Sequence, residues 1–334
     1  MLHKDRTDTE ENRAKNPQDS GIRKKIILFC LLGCAFAFCA VLALTCCAHG
    51  PAEFSPAVNR HPKFSATVQE NADRTELKLM TLNMAHGRKD GFSQIFQTEK
   101  ELLSHLDEIA DVLKREKPDI LALQEADGPS AWSGNFDHVA YLAQKAGFHF
   151  WIRGEHVKIP GLSYGTAILS RLSLEKQFSV TFMPSPPTPS KGFVAVSVKW
   201  PGSQDAEIRV VSVHLDFSRE SVRKEQIRSM TERLSADKIP LIIMGDFNCG
   251  WEKGTSAVAK TARSLNLKVW QENAQDLQTF PQARPGKRLD WILIPCQFEF
   301  AEYRVLDDVL SDHRAVVSVI RAGADSKPDR KYEK

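Results

Sequence analysis

Cysteine is scarce in the body of this chain. Of its seven cysteines, five (Cys30, Cys34, Cys39, Cys46 and Cys47) fall in one apolar run near the start, leaving only Cys249 and Cys296 after residue 50. Two such distant thiols make neither a disulfide scaffold nor a zinc site, whose ligands come in closely spaced pairs. They read either as a pair in an oxidising compartment or as two buried free thiols. Net charge is also nearly missing. Residues 1–25 hold seven Lys/Arg and five Asp/Glu, so the other 309 residues carry 38 of the 45 basic and 37 of the 42 acidic groups. A body this close to neutral lacks the broad basic face of a strong nucleic-acid binder. There is no internal repeat and no low-complexity insertion, which excludes solenoids and propellers.

One long hydrophobic run is present. Residues 26–48 are 23 consecutive uncharged residues, preceded by Arg23, Lys24 and Lys25. As a helix this run spans about 34 Å, enough for a hydrocarbon core of about 30 Å. Its basic flank favours a cytoplasmic N-terminus, with everything after residue 50 on the far side. The run is read as a transmembrane anchor, because signal peptides have shorter apolar stretches of about 7–15 residues. A cleaved signal segment, and a lipoprotein signal at Cys46 or Cys47, are the alternatives. Around it the chain divides into a polar cytoplasmic segment (1–25), a Pro-containing linker (49–75), a globular body (76–320) and a charged tail (321–334).

Within the body, short apolar stretches alternate with amphipathic ones. Period-two patterning or apolar runs predict strands over 77–83, 120–124, 166–169, 193–200, 208–214, 241–245, 291–294 and 315–320. Leu102, Leu103, Leu106, Ile109, Ala110 and Leu113 recur at helical spacing, and Pro118 stops that helix. Further helices are predicted over 137–146, closed by Gly147, over 219–234 and over 257–265. The class is α/β, with more strands than helices. Four strands end in reactive polar groups: Asn83, Gln124–Glu125, His214 and Asp246–Phe247–Asn248. Strands that run out into acids, amides and imidazoles gather those groups at one edge of the layers, where α/β sheets bind ligands. Asp246 and Asn248, two residues apart in an extended segment, present their side chains on the same face, with Phe247 opposite.

The strings MTLNMAHG, DILALQEAD, YGTAILSR, VVSVHLDF, IIMGDFN, RLDWILI and LSDHRAVV occur in this order between residues 76 and 320. Together they resemble the ordered motifs of the endonuclease/exonuclease/phosphatase superfamily. The resemblance implies a four-layer sandwich, two packed mixed β-sheets flanked by helices, and metal-dependent hydrolysis of a phosphoester. It makes Glu125 the carboxylate for Mg²⁺, with Mn²⁺ as the alternative ion. Asn83 would touch the metal region or that carboxylate, and Asp312 would reach the metal or orient the water. Asp246 would position or deprotonate the attacking water, and Asn248 would bind phosphate oxygens. His214 and His313 would stabilise charge on the five-coordinate phosphorus centre as imidazolium donors, with Asp290 orienting His313. His86, Arg88 and Arg219 are the substrate-side candidates. Where apurinic endonucleases carry an acid soon after the first-strand Asn, this chain has Met84-Ala85-His86-Gly87, so a second metal contact is not expected there.

The tether and the near-neutral body point to a phosphodiester of a lipid head group or of a small extracytoplasmic molecule. An extracytoplasmic nuclease is the second reading, and a membrane-anchored, non-catalytic binding protein that has kept the fold is the third.

Overall fold

The computed structural model describes residues 52–62, 75–203, 206–236 and 238–323, all within the unit Thr45–Lys334. Among these residues the strands form two seven-stranded sheets. One orders β1 (Ala52–Phe54), β7 (Glu175–Thr181), β8 (Gly192–Lys199), β9 (Glu207–His214), β10 (Leu241–Asp246), β12 (Asp290–Pro295) and β11 (Leu267–Val269). The other orders β13 (Phe298–Val305), β14 (Val316–Ala322), β3 (Glu76–Asn83), β4 (Ile120–Asp127), β6 (Leu162–Ser170), β5 (Phe150–Ile159) and β2 (Asn59–Arg60). Both are mixed: β3 runs parallel to β4 and β9 parallel to β10, and the other pairs are antiparallel.

Alternation along the strands sets the layers. Leu77 and Leu79 of β3, Ile120 and Ala122 of β4, Val210 of β9 and Ile242 and Met244 of β10 pack into one aliphatic core between the sheets. Their neighbours point outward. Met80, Leu82, Leu121 and Leu123 meet Leu106, Ile109 and Leu113 of helix α1 (Glu99–Glu116) and Val139 and Leu142 of α2 (His138–Ala146). Val211, Val213 and Ile243 meet Ile227 and Met230 of α3 (Glu220–Ser235) and Val258 and Ala262 of α4 (Ala257–Ser264). The order helix, sheet, sheet, helix is the expected four-layer arrangement. Each aliphatic side chain buried this way stabilises the fold by about 1.5–3 kcal/mol. A one-residue slip of a strand would reverse every inward and outward choice, so register is strongly specified.

The helix starts follow local chemistry. At α1, Thr98 Oγ1 accepts the Glu101 N–H while the Glu101 carboxylate accepts the Thr98 N–H at 2.8 Å, a reciprocal cap. Asp137 caps α2, and Gly147 at φ 70° closes it.

Three expectations change. The stretch 49–75 is not wholly a linker, because it contributes β1 to the edge of one sheet and β2 to the edge of the other; strands of two or three residues are too short to show alternation. β14 runs on through Arg321 and Ala322, into what was read as tail. Strands β5, β7, β11 and β13 were not expected. β13 (FEFAEYRV) and β7 (EKQFSVT) carry charges among their apolar residues, which hides their periodicity. No helix among the described residues is long and apolar enough to cross a membrane, and the run 26–48 lies outside them. Cys249 and Cys296 are free thiols, the first half-buried and the second exposed.

Far from the strand ends that bear the reactive groups, buried Glu116 gathers Arg304 (2.5 Å), Arg115 (3.0 Å) and Lys78 (3.3 Å). Burial alone would raise its pKa, but these donors hold it down to about 2. A carboxylate depressed in the folded state adds stability that is complete above its ordinary value near 4.5 and is lost as pH falls through about 2. Glu116→Gln should therefore lose about 2–3 kcal/mol at pH 7 in denaturant unfolding. That deficit should shrink steadily as the pH of the measurement is lowered from 4.5 toward 2.

Candidate active site

The parallel pairs β3–β4 and β9–β10 bring their C-terminal ends to one edge of the sandwich. Asn83 pairs with Gln124 in one sheet, and His214 with Asp246 in the other. Asn83 Nδ2 then bridges the sheets by donating to Asp246 Oδ2 at 3.1 Å, while its Oδ1 accepts the Ala85 N–H at 3.1 Å. Beneath this bridge, Gln124 Nε2 donates to Ser212 Oγ at 3.1 Å and Ser212 Oγ to the Leu123 carbonyl at 3.0 Å, a polar seam through the aliphatic layer.

Asp246 is almost wholly buried. Its Oδ1 accepts the Asn248 backbone N–H at 2.8 Å, and Asn248 Nδ2 donates to its Oδ2 at 3.2 Å. Gly245 makes this geometry possible: at φ 146° its backbone passes so close to β9 that a Cβ would meet the Val213 oxygen at 2.0 Å. Phe247 turns away into the core beneath α3 and α4. Two imidazoles face Asp246 Oδ2, His214 Nε2 at 3.5 Å and His313 Nε2 at 3.8 Å. His313 Nδ1 lies 2.8 Å from Asp290 Oδ2, which also accepts from Thr279 Oγ1 at 2.6 Å.

Glu125 stands on the other wall. A bulge in β4 between Gln124 and Ala126 puts its backbone at φ 50° and swings its side chain into the cavity. His86 Nε2 is 3.4 Å from one of its oxygens and Lys191 Nζ 4.0 Å from the other. His86 is held by buried Asp127, which lies 2.6 Å from Nδ1 and accepts from Trp132 Nε1 at 2.8 Å and from Ser133 Oγ. His86 is thus a positioning group beneath Glu125 and does not line the cavity as a substrate contact.

Lys191 is buried, with Nζ 3.3 and 3.2 Å from the two ring nitrogens of His214. Burial and this ammonium hold the His214 pKa well below 6.5. The expected imidazolium at His214 is therefore corrected: the neutral ring is favoured there, and the basic group on its side is Lys191, whose own pKa burial lowers against the pull of Glu125, Asp246 and Asp216. His313 behaves oppositely. Burial would lower its pKa, but Asp290 and Asp246 raise it to about 10. Burial and the Asp290 charge push Asp246 up to about 7 against the pull of His313. For Glu125, burial would raise the pKa, but His86, Lys191 and the other histidines depress it, so it is ionised.

The cavity at this edge measures about 750 Å³ and is lined by Asn83, Glu125, His214, Asp246, Asn248 and His313 among others. Arg88 and Asp312 share its wall and bind each other at 2.5 Å, and Arg88 also donates to the Gly91 carbonyl. Arg219 lies off the lining. Its guanidinium donates to the carbonyls of Ser185 and Pro186 and its backbone N–H to Asp216, so it locks a loop, and the structure does not place it as a phosphate clamp. Lys191 and Thr279 escaped the sequence reading. Lys191 follows the proline-rich 183–189 stretch and looks like any solvated lysine, and Thr279 lies between strands with no periodicity to place it.

A divalent cation has two candidate places. Ligand atoms of Asp246, Asp290 and His313 lie within 4.8 Å of one another. His313 Nδ1 is already paired with Asp290 and Asp246 with Asn83 and Asn248, which weighs against that set. Glu125 fits better. Its ionised oxygens face the cavity with no short hydrogen bond among the described residues, and a hydrated hard cation asks for only one or two carboxylates. The Asn83 amide is engaged with Ala85 and Asp246, and the Asp312 carboxylate with Arg88.

A buried acid flanked by amides and imidazoles, opposite a lone carboxylate, is the equipment of a phosphoester hydrolase. The family model for the endonuclease/exonuclease/phosphatase family matches residues 80–313, and the chain belongs to that family. Its members are hydrolases of phosphoesters, typically dependent on a divalent metal. Solved structures agree on the fold. An endonuclease/exonuclease/phosphatase from Beutenbergia cavernae DSM 12333 is 21% identical at a TM-score of 0.58, covering 75% of this chain and 72% of its own. The mannosyl-6-phosphatase Bt3783 of Bacteroides thetaiotaomicron VPI-5482 is 16% identical at 0.57, covering 73% and 99%. SmcL is 16% identical at 0.53, covering 74% and 99%. Compared with curated proteins by sequence, the chain matches none.

Because Asp290 is what keeps His313 charged, Asp290→Asn should bring the His313 pKa down from about 10 by on the order of 2 pH units. Titration of the ring by NMR reads this directly, and an unchanged value would remove Asp290 from that role.

Proposed function

We propose that this chain is a Mg²⁺-dependent phosphodiesterase, with Mn²⁺ as the alternative ion, acting on the head group of a lipid on the far side of the membrane that holds residues 26–48. The observation that carries the hydrolytic reading is Asp246. It is a carboxylate raised to about 7, oriented by Asn83 and Asn248, and set between neutral His214 and charged His313. A general base works best with a pKa near the operating pH.

Water held on Asp246 gives its proton to that carboxylate as its oxygen bonds to phosphorus. The bond from phosphorus to the leaving oxygen breaks, and the leaving oxygen takes a proton from solvent at the open mouth. The His313 Nε2–H faces the charge that gathers on the phosphoryl oxygens, with Asn248 Nδ2, which donates to Asp246 and to the Leu215 carbonyl, and buried Lys191, which lies against His214, supporting the groups around it. Glu125 would hold the cation, which supplies Lewis-acid stabilisation of that charge. Arg88, on the cavity wall, is placed to meet the substrate's remaining charge. A lipid head group is favoured by the near-neutral body and by the uncharged run 26–48.

Bis-p-nitrophenyl phosphate and p-nitrophenyl phosphate, with Mg²⁺, with Mn²⁺ and with a chelator, test the reaction class. The diester should be cleaved faster, and chelation should stop turnover. Asp246→Ala should lose about 10³–10⁴-fold in kcat while remaining folded; an active, folded variant would sink the assignment. In the intact enzyme kcat/KM should rise as pH climbs through about 7, because Asp246 must be ionised to accept the proton. Glu125→Gln should raise the Mg²⁺ concentration for half-maximal rate by on the order of 10–100-fold. An unchanged requirement would move the cation elsewhere.

A further inference from the structure

Large apolar side chains left exposed among the described residues are few, and most share a location. Phe92 (94%), Ile95 (62%) and Phe96 (78%) follow Asn83; Met183 (56%) follows β7; Phe217 (60%) follows His214; Val309 (39%) precedes His313. All but Val309, whose neighbour Asp308 is held by Arg115 at the far end of α1, sit on a segment leaving the catalytic edge of the sandwich. Phe92 and Phe96 stack on each other, with ring centroids 6.4 Å apart. Scattered single apolar residues need no explanation on a protein surface, whereas a set confined to one edge marks an interaction face.

The backbone enters the domain over that same edge. Asp246 pairs with His214, His214 with Gly192, Gly192 with Thr181 and Thr181 with Ala52, a single row across β10, β9, β8, β7 and β1. Four strand spacings put Ala52 about 19 Å from Asp246. β7 runs toward the catalytic edge and β1 is antiparallel to it, so Ala52, where the described chain begins, stands at that edge. Only His49, Gly50 and Pro51 separate Ala52 from the uncharged run 26–48. Fully extended, the chain from residue 48 to Ala52 reaches at most about 14 Å.

We infer that the catalytic edge lies against the lipid bilayer that holds residues 26–48, with Phe92, Ile95, Phe96, Met183 and Phe217 entering its interface, so that the site draws substrate from the plane of the membrane. This rests on the lipid head-group reading above and adds an orientation to it. The short tether selects a bilayer over a protein as the occupant, since a domain held this closely at this edge has its apolar loops facing the anchoring surface. The near-neutral body leaves the contact to apolar side chains more than to lipid charge.

The full chain in vesicles of phosphatidylcholine, phosphatidylethanolamine, phosphatidylglycerol and sphingomyelin tests this in two arms. In the first, Phe92→Glu/Phe96→Glu is compared with the unaltered chain. Both side chains are exposed and outside the cavity lining, so the fold and the cleavage of soluble bis-p-nitrophenyl phosphate should be unchanged within twofold. Release of water-soluble phosphorylated head group from the vesicles should fall at least tenfold. Equal rates on vesicle lipid overturn the inference. In the second arm, a diazirine-bearing phosphatidylcholine is photolysed in the same vesicles and the labelled residues are mapped by mass spectrometry. Label within 92–96 and near 217, besides the run 26–48, supports the orientation whatever the turnover. Label confined to 26–48 overturns it and leaves the apolar edge to a protein partner; label in neither place overturns it through the anchor. Failure of the hydrolytic reading shows separately, as an unaltered chain inert on both substrates with its labelling pattern intact.

Discussion

The aliphatic layer between the two sheets is the constraint on which the rest depends. Side chains such as Leu79, Ile120, Val210 and Ile242 interdigitate there, and a layer packed on both sides fixes the register of each strand. Fixed register is what makes the strand ends coincide. Asn83 reaches Asp246 across the sandwich only because β3 and β10 stop at the same level, and the polar seam from Gln124 to Ser212 marks where the dry layer gives way to the site. A buried carboxylate without partners is costly, and Asp246 is met by Asn83, Asn248 and two imidazoles from neighbouring strand ends and loops.

The site is built from two similar arrangements facing one another. On one side Asp290 holds His313, whose far nitrogen faces Asp246; on the other Asp127 holds His86, whose far nitrogen faces Glu125. In each, a buried acid fixes an imidazole and raises its pKa, and the imidazole tunes a carboxylate that looks into the cavity. The outcomes differ because the surroundings do. Asp246 is raised by burial and by the like charge of Asp290, whereas Glu125, equally buried, has His86 and Lys191 beside it and is depressed. One cavity thus carries a carboxylate suited to accepting a proton and another suited to holding a cation.

Much of this was legible in the amino-acid order. The eight strands with clean alternation or long apolar runs all exist, and the reactive residues at their ends converge as the common edge required. What could not be read came from pairing across the sheet. Lys191 gains its meaning only because Gly192 lies beside His214, 22 positions further on, and that neighbour reverses the charge expected of His214. His86 reads in the sequence as a substrate contact and Asp127 has no role there; the bulge at Glu125 brings both beneath that carboxylate instead. Arg219 shows the opposite error: a cation near the motif is absorbed by loop carbonyls that no local pattern announces.

Gly245 places a further condition on the molecule. With Val213's oxygen where a methyl group would need to be, no side chain fits at this position unless β9 and β10 separate, and separating them would carry His214 away from Asp246. The position therefore has no graded series of replacements. Alteration there removes function in one step, whereas lining residues outside the hydrolytic set, such as Gln275 and Gln278, are free to vary one by one. Substrate preference in this fold can drift while the hydrolytic centre stays discrete, present whole or lost whole.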